Sequence, residues 1–176
     1  MVTLQTDRLI LRMLRESDID AYAEMCGDPE TMRHIGDGQP LSRSMAWRNL
    51  AMMVGHWVLR GYGPWVAEER SSGVFVGRIG FWNPDGWPGF EIGWMLHRSY
   101  WGRGYATEGA RAALEYGFTE LREPQIISLI HPENLASIRV ADRLGERLVG
   151  TEELIGRTSL VYRITREEWE ERRNPR

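Results

Sequence analysis

Three groups of residues in this sequence have the types and spacing to do chemistry. The first is Tyr100-Trp101-Gly102-Arg103-Gly104-Tyr105-Ala106-Thr107-Glu108, where two glycines stand one residue apart ahead of a helical pattern. From Ala106, small and apolar residues recur at Ala110, Ala113, Leu114, Gly117, Phe118 and Leu121, one face of a helix. Glycines let backbone N–H groups turn toward one point, and a helix start adds unpaired donors and partial positive charge. Such a turn is an anion site suited to phosphate; the alternative is a tight strand–helix connection with no ligand. Four or five charged hydrogen bonds of about 1.5–3 kcal/mol each would hold a diphosphate. No Lys-Ser or Lys-Thr pair follows the glycines, so this is not a P-loop. Thr107 stands where the dinucleotide fingerprint needs its third glycine.

The second group is Glu91 at the head of the apolar run Phe90–Leu96, which reads as a strand. A carboxylate beside an anion turn is a candidate general base, or a structural partner for an arginine. Glu108, one turn into the helix, is a second acid with a stronger structural reading. The third group is Asn134 and Ser137, three apart at a helix start, the spacing of a cap. Cys26 is the single cysteine, so no intrachain disulfide forms and a cytoplasmic setting follows. With no adjacent histidine it reads as a small buried hydrophobe. His34, His56, His97 and His131 show no metal-ligand spacing, so no metal is expected.

These groups need elements to position them. Leu9–Leu14 reads as a first strand, and Ser17 as the cap of a helix to about Cys26 that Asp28-Pro29 stops. Ser42 caps a second helix through Arg60, ended by Gly61-Tyr62-Gly63-Pro64. Trp65–Glu69 and Val74–Trp82 form a hairpin. Asn83–Gly89 is a loop before the strand of Glu91. After the glycine helix come a strand at Gln125–Ile130, a helix from about Leu135 to Leu144, and two late strands, Leu148–Thr151 and Ser159–Ile164. Thr165 and Glu168 have capping-box spacing for a C-terminal helix. The 176 residues fit one domain, 1–176, of class α/β, with a mixed sheet and helices on both faces. A net charge of −3 with mixed signs argues against nucleic acid. No apolar run is long enough for a membrane span.

With the glycine turn and the Asn134 region in view, the chain resembles the GNAT superfamily of N-acetyltransferases, and within it the branch of ribosomal-protein-alanine and -serine N-acetyltransferases. The matching segments are Thr6–Arg12, Val76–Phe81, Glu91–Leu96, Trp101–Gly109 and His131–Val140, in family order across nearly the whole chain. The family's Gln/Arg-x-x-Gly-x-Gly/Ala loop falls on Trp101–Ala106, with Trp101 replacing Gln or Arg. Gly145-Glu146 stands where the branch usually carries Gly-Phe.

The resemblance implies a three-layer sandwich: a mixed central sheet, antiparallel in its N-terminal half, with a splayed parallel pair at the centre. It implies acetyl-coenzyme A as co-substrate, its diphosphate on Gly102, Arg103, Gly104, Tyr105, Ala106 and Thr107. Its pantetheine arm would run beside Met95, Leu96 and His97 and touch Asn134 and Ser137. Glu91 would be the base, and Ser137 would hand a proton to the leaving thiolate. The acceptor would be a primary amine, on a small molecule or a protein N-terminus, attacking directly with no covalent enzyme intermediate. Its wall would be the first two helices and the loop Trp82–Gly89. Trp47, Trp82 and Trp87 with Asp28 and Asp85 would make an aromatic, acidic pocket for a cation. A homodimer is a common family assembly. The competing reading is a catalytically silent acetyl-coenzyme A-binding module that acts as a sensor or partner protein.

Overall fold

The structure, a computed structural model, describes residues 2–173. The chain opens with strands β1 (Leu4–Gln5) and β2 (Leu9–Arg12), then helices α1 (Ile19–Gly27), α2 (Pro29–Met32) and α3 (Arg43–Arg60). Strands β3 (Pro64–Glu69), β4 (Phe75–Trp82) and β5 (Glu91–Leu96) follow. Then come α4 (Tyr105–Thr119), β6 (Gln125–Ile130), α5 (Leu135–Leu144), β7 (Arg147–Leu154), β8 (Arg157–Thr165) and α6 (Arg166–Arg173). The strands make one sheet in the order β1-β2-β3-β4-β5-β6-β8-β7. Every pairing is antiparallel except β5 with β6, which is parallel and holds register at a single pair, Glu91 with Ile127.

The element ends follow local chemistry. Ser42 Oγ accepts from Met45 N–H at 3.3 Å, and Gly61 in the left-handed region closes α3. Thr165 and Glu168 complete the expected capping box at 3.0 and 3.2 Å. Ser17, however, caps nothing. Glu16–Asp18 form a tight turn ahead of α1 instead, in which the Asp18 carboxylate accepts Arg15 N–H at 2.7 Å while pairing with Arg12 at 2.8 Å and caps no N–H of α1. Asp28-Pro29 ends α1 as expected and also starts a short second helix, since Asp28 caps the N–H groups of Glu30 and Thr31. The last hairpin is longer than its apolar residues suggest: exposed Glu152 and Glu153 carry β7 onward.

α1 and α3 pack on one sheet face and α4 on the other. α4 comes close to the sheet because its facing residues are small. A Cβ on Gly109 would meet Ile79 Cδ1, and one on Gly117 would stand 2.8 Å from both Ile126 Cδ1 and Phe81 Cζ. Trp65, Tyr22 and Phe81 are the largest fully buried side chains. Tight packing at Gly117 yields a test: Gly117→Val overfills the α4–sheet contact and should lower stability by about 1–3 kcal/mol. A urea unfolding midpoint equal to the parent's would refute that packing.

Candidate functional site

β5 and β6 diverge beyond Glu91, and the gap is lined from both sides of the sheet. On one side a cavity of about 480 Å³ runs from Trp94, Met95 and Leu96 to the glycine turn and α5. On the other, a cavity of about 490 Å³ lies between α3, the Trp82–Trp87 segment and the β7–β8 turn. The two share His34, Ile35, Trp94, Asn134 and Ser137. They therefore meet at the splay.

The first cavity ends in a cradle of donors. Gly102 and Gly104 take left-handed φ values of 73° and 82°, which aim the chain's amides inward. The first intrahelical bond of α4 is Glu108 N–H to Gly104 C=O at 3.0 Å. The N–H groups of residues 102–107 have no protein acceptor among the described residues, and Gly104 supplies no side-chain cap. Thr107 Oγ1 is buried without a partner beside them. A diphosphate, rich in acceptor oxygens, fits this set. Trp101, in place of Gln or Arg, donates its indole N–H to Leu96 C=O at 2.9 Å and so caps the free end of β5.

His97 N–H bonds Val76 C=O across to β4, so alternation turns the backbone groups of Ile92, Trp94 and Leu96 toward the gap. Asn134 Oδ1 accepts Ser137 N–H at 3.1 Å, the expected cap. Ser137 Oγ also accepts the Trp94 indole N–H at 3.1 Å, leaving its own proton free to donate. Trp94 is a residue that sequence reasoning missed as part of the site. The signal available was its period-two partnership with Ile92 and Leu96 on the face opposite Glu91.

Glu91 lies at the floor of the second cavity, deep among protein atoms. Its Oε2 accepts the Trp87 indole N–H at 2.7 Å. Burial pushes its pKa up to about 7, opposed by Trp87, the charge of Arg78 and the Leu129 N–H. His56 fixes the segment carrying Trp82 and Trp87. Its ring stacks on Trp82 at 4.5 Å, takes the Asn83 N–H at 3.2 Å and bonds Tyr62 C=O at 2.9 Å.

Behind the splay, buried Glu146 lies 3.0 Å from Ser128 Oγ, which lies 3.0 Å from Ile92 C=O. Ser128 has one proton for two acceptors. A neutral Glu146 resolves this: it donates to Ser128, and Ser128 donates to Ile92. Burial first, and the Glu91 charge after it, raise Glu146 to about 8 against the Ser128 bond.

Several expected residues fall elsewhere. His97 does not line the groove, because its ring faces Glu24 at 3.6 Å and accepts Ser99 N–H. Arg103 turns its side chain over Tyr100 and gives its carbonyl to Arg8. Glu108 is held by Thr6 and Arg8; burial raises its pKa, and those partners outweigh it and lower it. Cys26 is buried, and burial pushes its thiol up. The acidic pocket does not form: Trp47 is half exposed on α3, Asp28 caps α2 and faces Arg98, and Asp85 lies outside the cavity. Of the two helices expected as a wall, α3 and not α1 lines the second cavity; the loop lines it too, as does the β7–β8 turn through Leu154, Ile155 and Arg157. Spacing along the chain also hid one cluster. His34 and His131 stack at 4.9 Å, and with Glu133 they bring three potential metal-ligand atoms within 4.8 Å.

Residues 8–147 match the family described as "Acetyltransferase (GNAT) domain". The Bacillus subtilis protein YkkB is 36% identical over 150 residues, covering 81% of this chain and 83% of that one. The B. subtilis N-acetyltransferase YnaD is 30% identical over 150 residues, 84% of each. The crystal structure of an acetyltransferase from Agrobacterium tumefaciens superposes with a TM-score of 0.80 at 31% identity, covering 93% of this chain and 94% of that one. The chain belongs to the GNAT acetyltransferase family. It is an N-acetyltransferase, an enzyme of a family that uses acetyl-coenzyme A, and its sheet is the family's. No helix among the described residues is long and apolar enough to cross a membrane.

Glu146 sets a pH dependence of stability. An unfolded glutamate ionises near ~4.3, whereas the folded group holds its proton up to about 8. Between these values the unfolded state binds fewer protons, so rising pH favours unfolding. Glu146→Gln removes that slope, and its melting temperature should gain on the parent's progressively from pH 5 to 8. Parallel curves for the two proteins would show that Glu146 is ionised in the folded state.

Proposed function

We propose that this enzyme acetylates a primary amine by direct attack, with Glu91 as the base, Ser137 as the proton donor and residues 102–107 holding the coenzyme diphosphate. The observation that carries this reading is the junction of the two cavities. The unpaired amides lie on one side of the splay and, on the other, Glu91, the only carboxylate lining the second cavity among the described residues, with Ser137 where they meet.

Each group has a task its surroundings suit. The amides and Thr107 offer donors to an anion that arrives with none of its own. Trp94 and Leu96, freed from strand pairing, offer backbone groups to the amide-bearing arm as a neighbouring strand would. Glu91 at about 7 is matched to proton transfer near neutral pH. It takes the proton from the amine as the N–C bond forms, directly or through water. Ser137 passes its proton to sulfur as the C–S bond breaks and regains one from solvent, while Glu91 returns the amine proton to solvent. The need for a base scales with the amine. Neutralising an alkyl ammonium of pKa ~10.4 at pH 7 costs about 4–5 kcal/mol, whereas an N-terminal amine near ~7.7–8.0 costs about 1 kcal/mol. The absence of an apolar spanning helix fits a cytoplasmic setting.

Two variants test this. Gly104→Glu puts bulk and negative charge into the cradle at a left-handed position, and a folded variant should lose coenzyme A affinity at least a hundredfold by calorimetry. Unchanged affinity would remove residues 102–107 from the coenzyme site. For the base, parental kcat/KM should rise with pH through about 7. Glu91→Gln should flatten that profile and lower turnover about 10²–10⁴-fold, more for alkyl amines than for peptide N-termini. An unaltered profile would exclude Glu91 as the base.

A further inference from the structure

Two arginines line the acceptor cavity, and they are differently employed. Arg157 reaches back to the carbonyls of Arg33 and Gly36 at 3.2 and 3.3 Å, tying the β7–β8 turn to that loop. Arg78, in mid-β4, makes no ion pair among the described residues, and its Nε is buried without a partner; its guanidinium lies near the Tyr22 hydroxyl, which brings no negative charge. It lines the acceptor cavity and not the coenzyme groove.

Register places Arg78 on the same sheet face as Glu91. Arg78 pairs with Met95, Gly80 with Gly93 and Trp82 with Glu91. The backbone separation along β5 from Met95 to Glu91 is about 13 Å. Between these two pairs lie two facing glycines, a stretch of floor without side chains. A Cβ on Gly93 would meet only Glu91 Oε1 within 4 Å, at 3.8 Å. Glu91 feels the charge of Arg78, yet no ion pair joins them. Asn49 spends its oxygen on the Tyr22 hydroxyl at 2.5 Å, which leaves its NH₂ to donate. Met52, Met53, Trp82, Trp87 and Ile155 supply apolar wall.

This inventory is a carboxylate at one end, a guanidinium with no anionic partner at the other and hydrophobic surface around them. A polycation would bring charge of the same sign to Arg78 with only Glu91 to offset it. An acid group would supply the partner that Arg78 lacks, in the bidentate geometry guanidinium favours. We infer that the acceptor is an amine bearing its own carboxylate, in chemical class an amino acid with an apolar side chain. Arg78 holds the carboxylate while the amine faces Glu91. The inference rests on the reading of this cavity as the acceptor side.

The test compares leucine, methionine and phenylalanine with their carboxamides, and with spermidine. Thiol release gives kcat/KM, and calorimetry on the coenzyme A-saturated enzyme gives binding. The acids should exceed their carboxamides at least tenfold. A carboxamide's amine is the easier to deprotonate, so amine basicity cannot produce that preference. Arg78→Gln should erase it by raising KM for the acids, leaving coenzyme A affinity unchanged, and Arg78→Lys should restore part of it. Equal rates for acid and carboxamide, a preference for spermidine, no binding of any acid, or an acid preference that survives Arg78→Gln would each overturn the assignment. Arg78-dependent binding of acids without thiol release would show a carboxylate site at Arg78 but overturn the acceptor assignment, and a flat pH profile of the parent with any turned-over amine would count separately against Glu91.

Discussion

The structure depends on a parallel strand pair that begins to zip and then stops. β5 and β6 share register at Glu91 and Ile127 and nowhere else. Every group that a continued ladder would have paired must find another partner, since an orphaned buried amide costs about 1–3 kcal/mol. Side chains supply part of this. Ser128 Oγ reaches Ile92 C=O, and the Trp101 indole reaches Leu96 C=O. These bonds occupy positions that β6 backbone would otherwise fill, so the opening is held by specific contacts. Glu146 completes the arrangement: a neutral carboxyl behind Ser128 directs the serine proton to Ile92.

The splay also explains the electrostatics. A carboxylate on a closed sheet would be covered by its neighbours, and one on the surface would stay hydrated and acidic. Glu91 sits at the last paired position, where the cavity begins, so it is desolvated yet reachable. Arg78, within its field but not in contact, limits the upward shift, and the Trp87 indole fixes the carboxylate's orientation. At the opposite end the requirement reverses. There the chain presents backbone dipoles, and the acid in the first turn of α4, Glu108, is turned away by Arg8 and Thr6.

Much of this was legible in the chain. The glycine turn, Glu91, the Asn134–Ser137 cap and the Thr165–Glu168 box are local patterns, in which the residues that interact lie within a few positions of each other. Local capping physics then fixes their geometry wherever the segment lies. The splay was expected only through the family resemblance, and the roles of Trp94 and Ser128 and the His34–His131–Glu133 cluster were not legible at all. Each depends on which strands become neighbours, and register between distant strands leaves no trace in a short window. Ser17 misled for a related reason. The residues before α1 form a separate tight turn, in which Asp18 closes back on Arg15 N–H and pairs with Arg12, six residues before it.

The second cavity, read above as the acceptor side, shows the same limit in its strongest form. Its wall combines residues from α3, the turn near His34, the Pro84–Trp87 loop and the β7–β8 turn, none adjacent to another in sequence. The sheet supplies only the floor, from Arg78 through the paired glycines to Glu91. Loops tolerate substitution and change of length far better than a paired strand does. A relative can therefore keep the floor, the splay and the amide cradle while replacing every wall. Likeness of fold then carries the chemistry of acetyl transfer and leaves the acceptor open. What narrows the acceptor in this chain is a residue on the rigid floor. The position of Arg78 is set by strand register, and whatever the walls admit must still answer its charge.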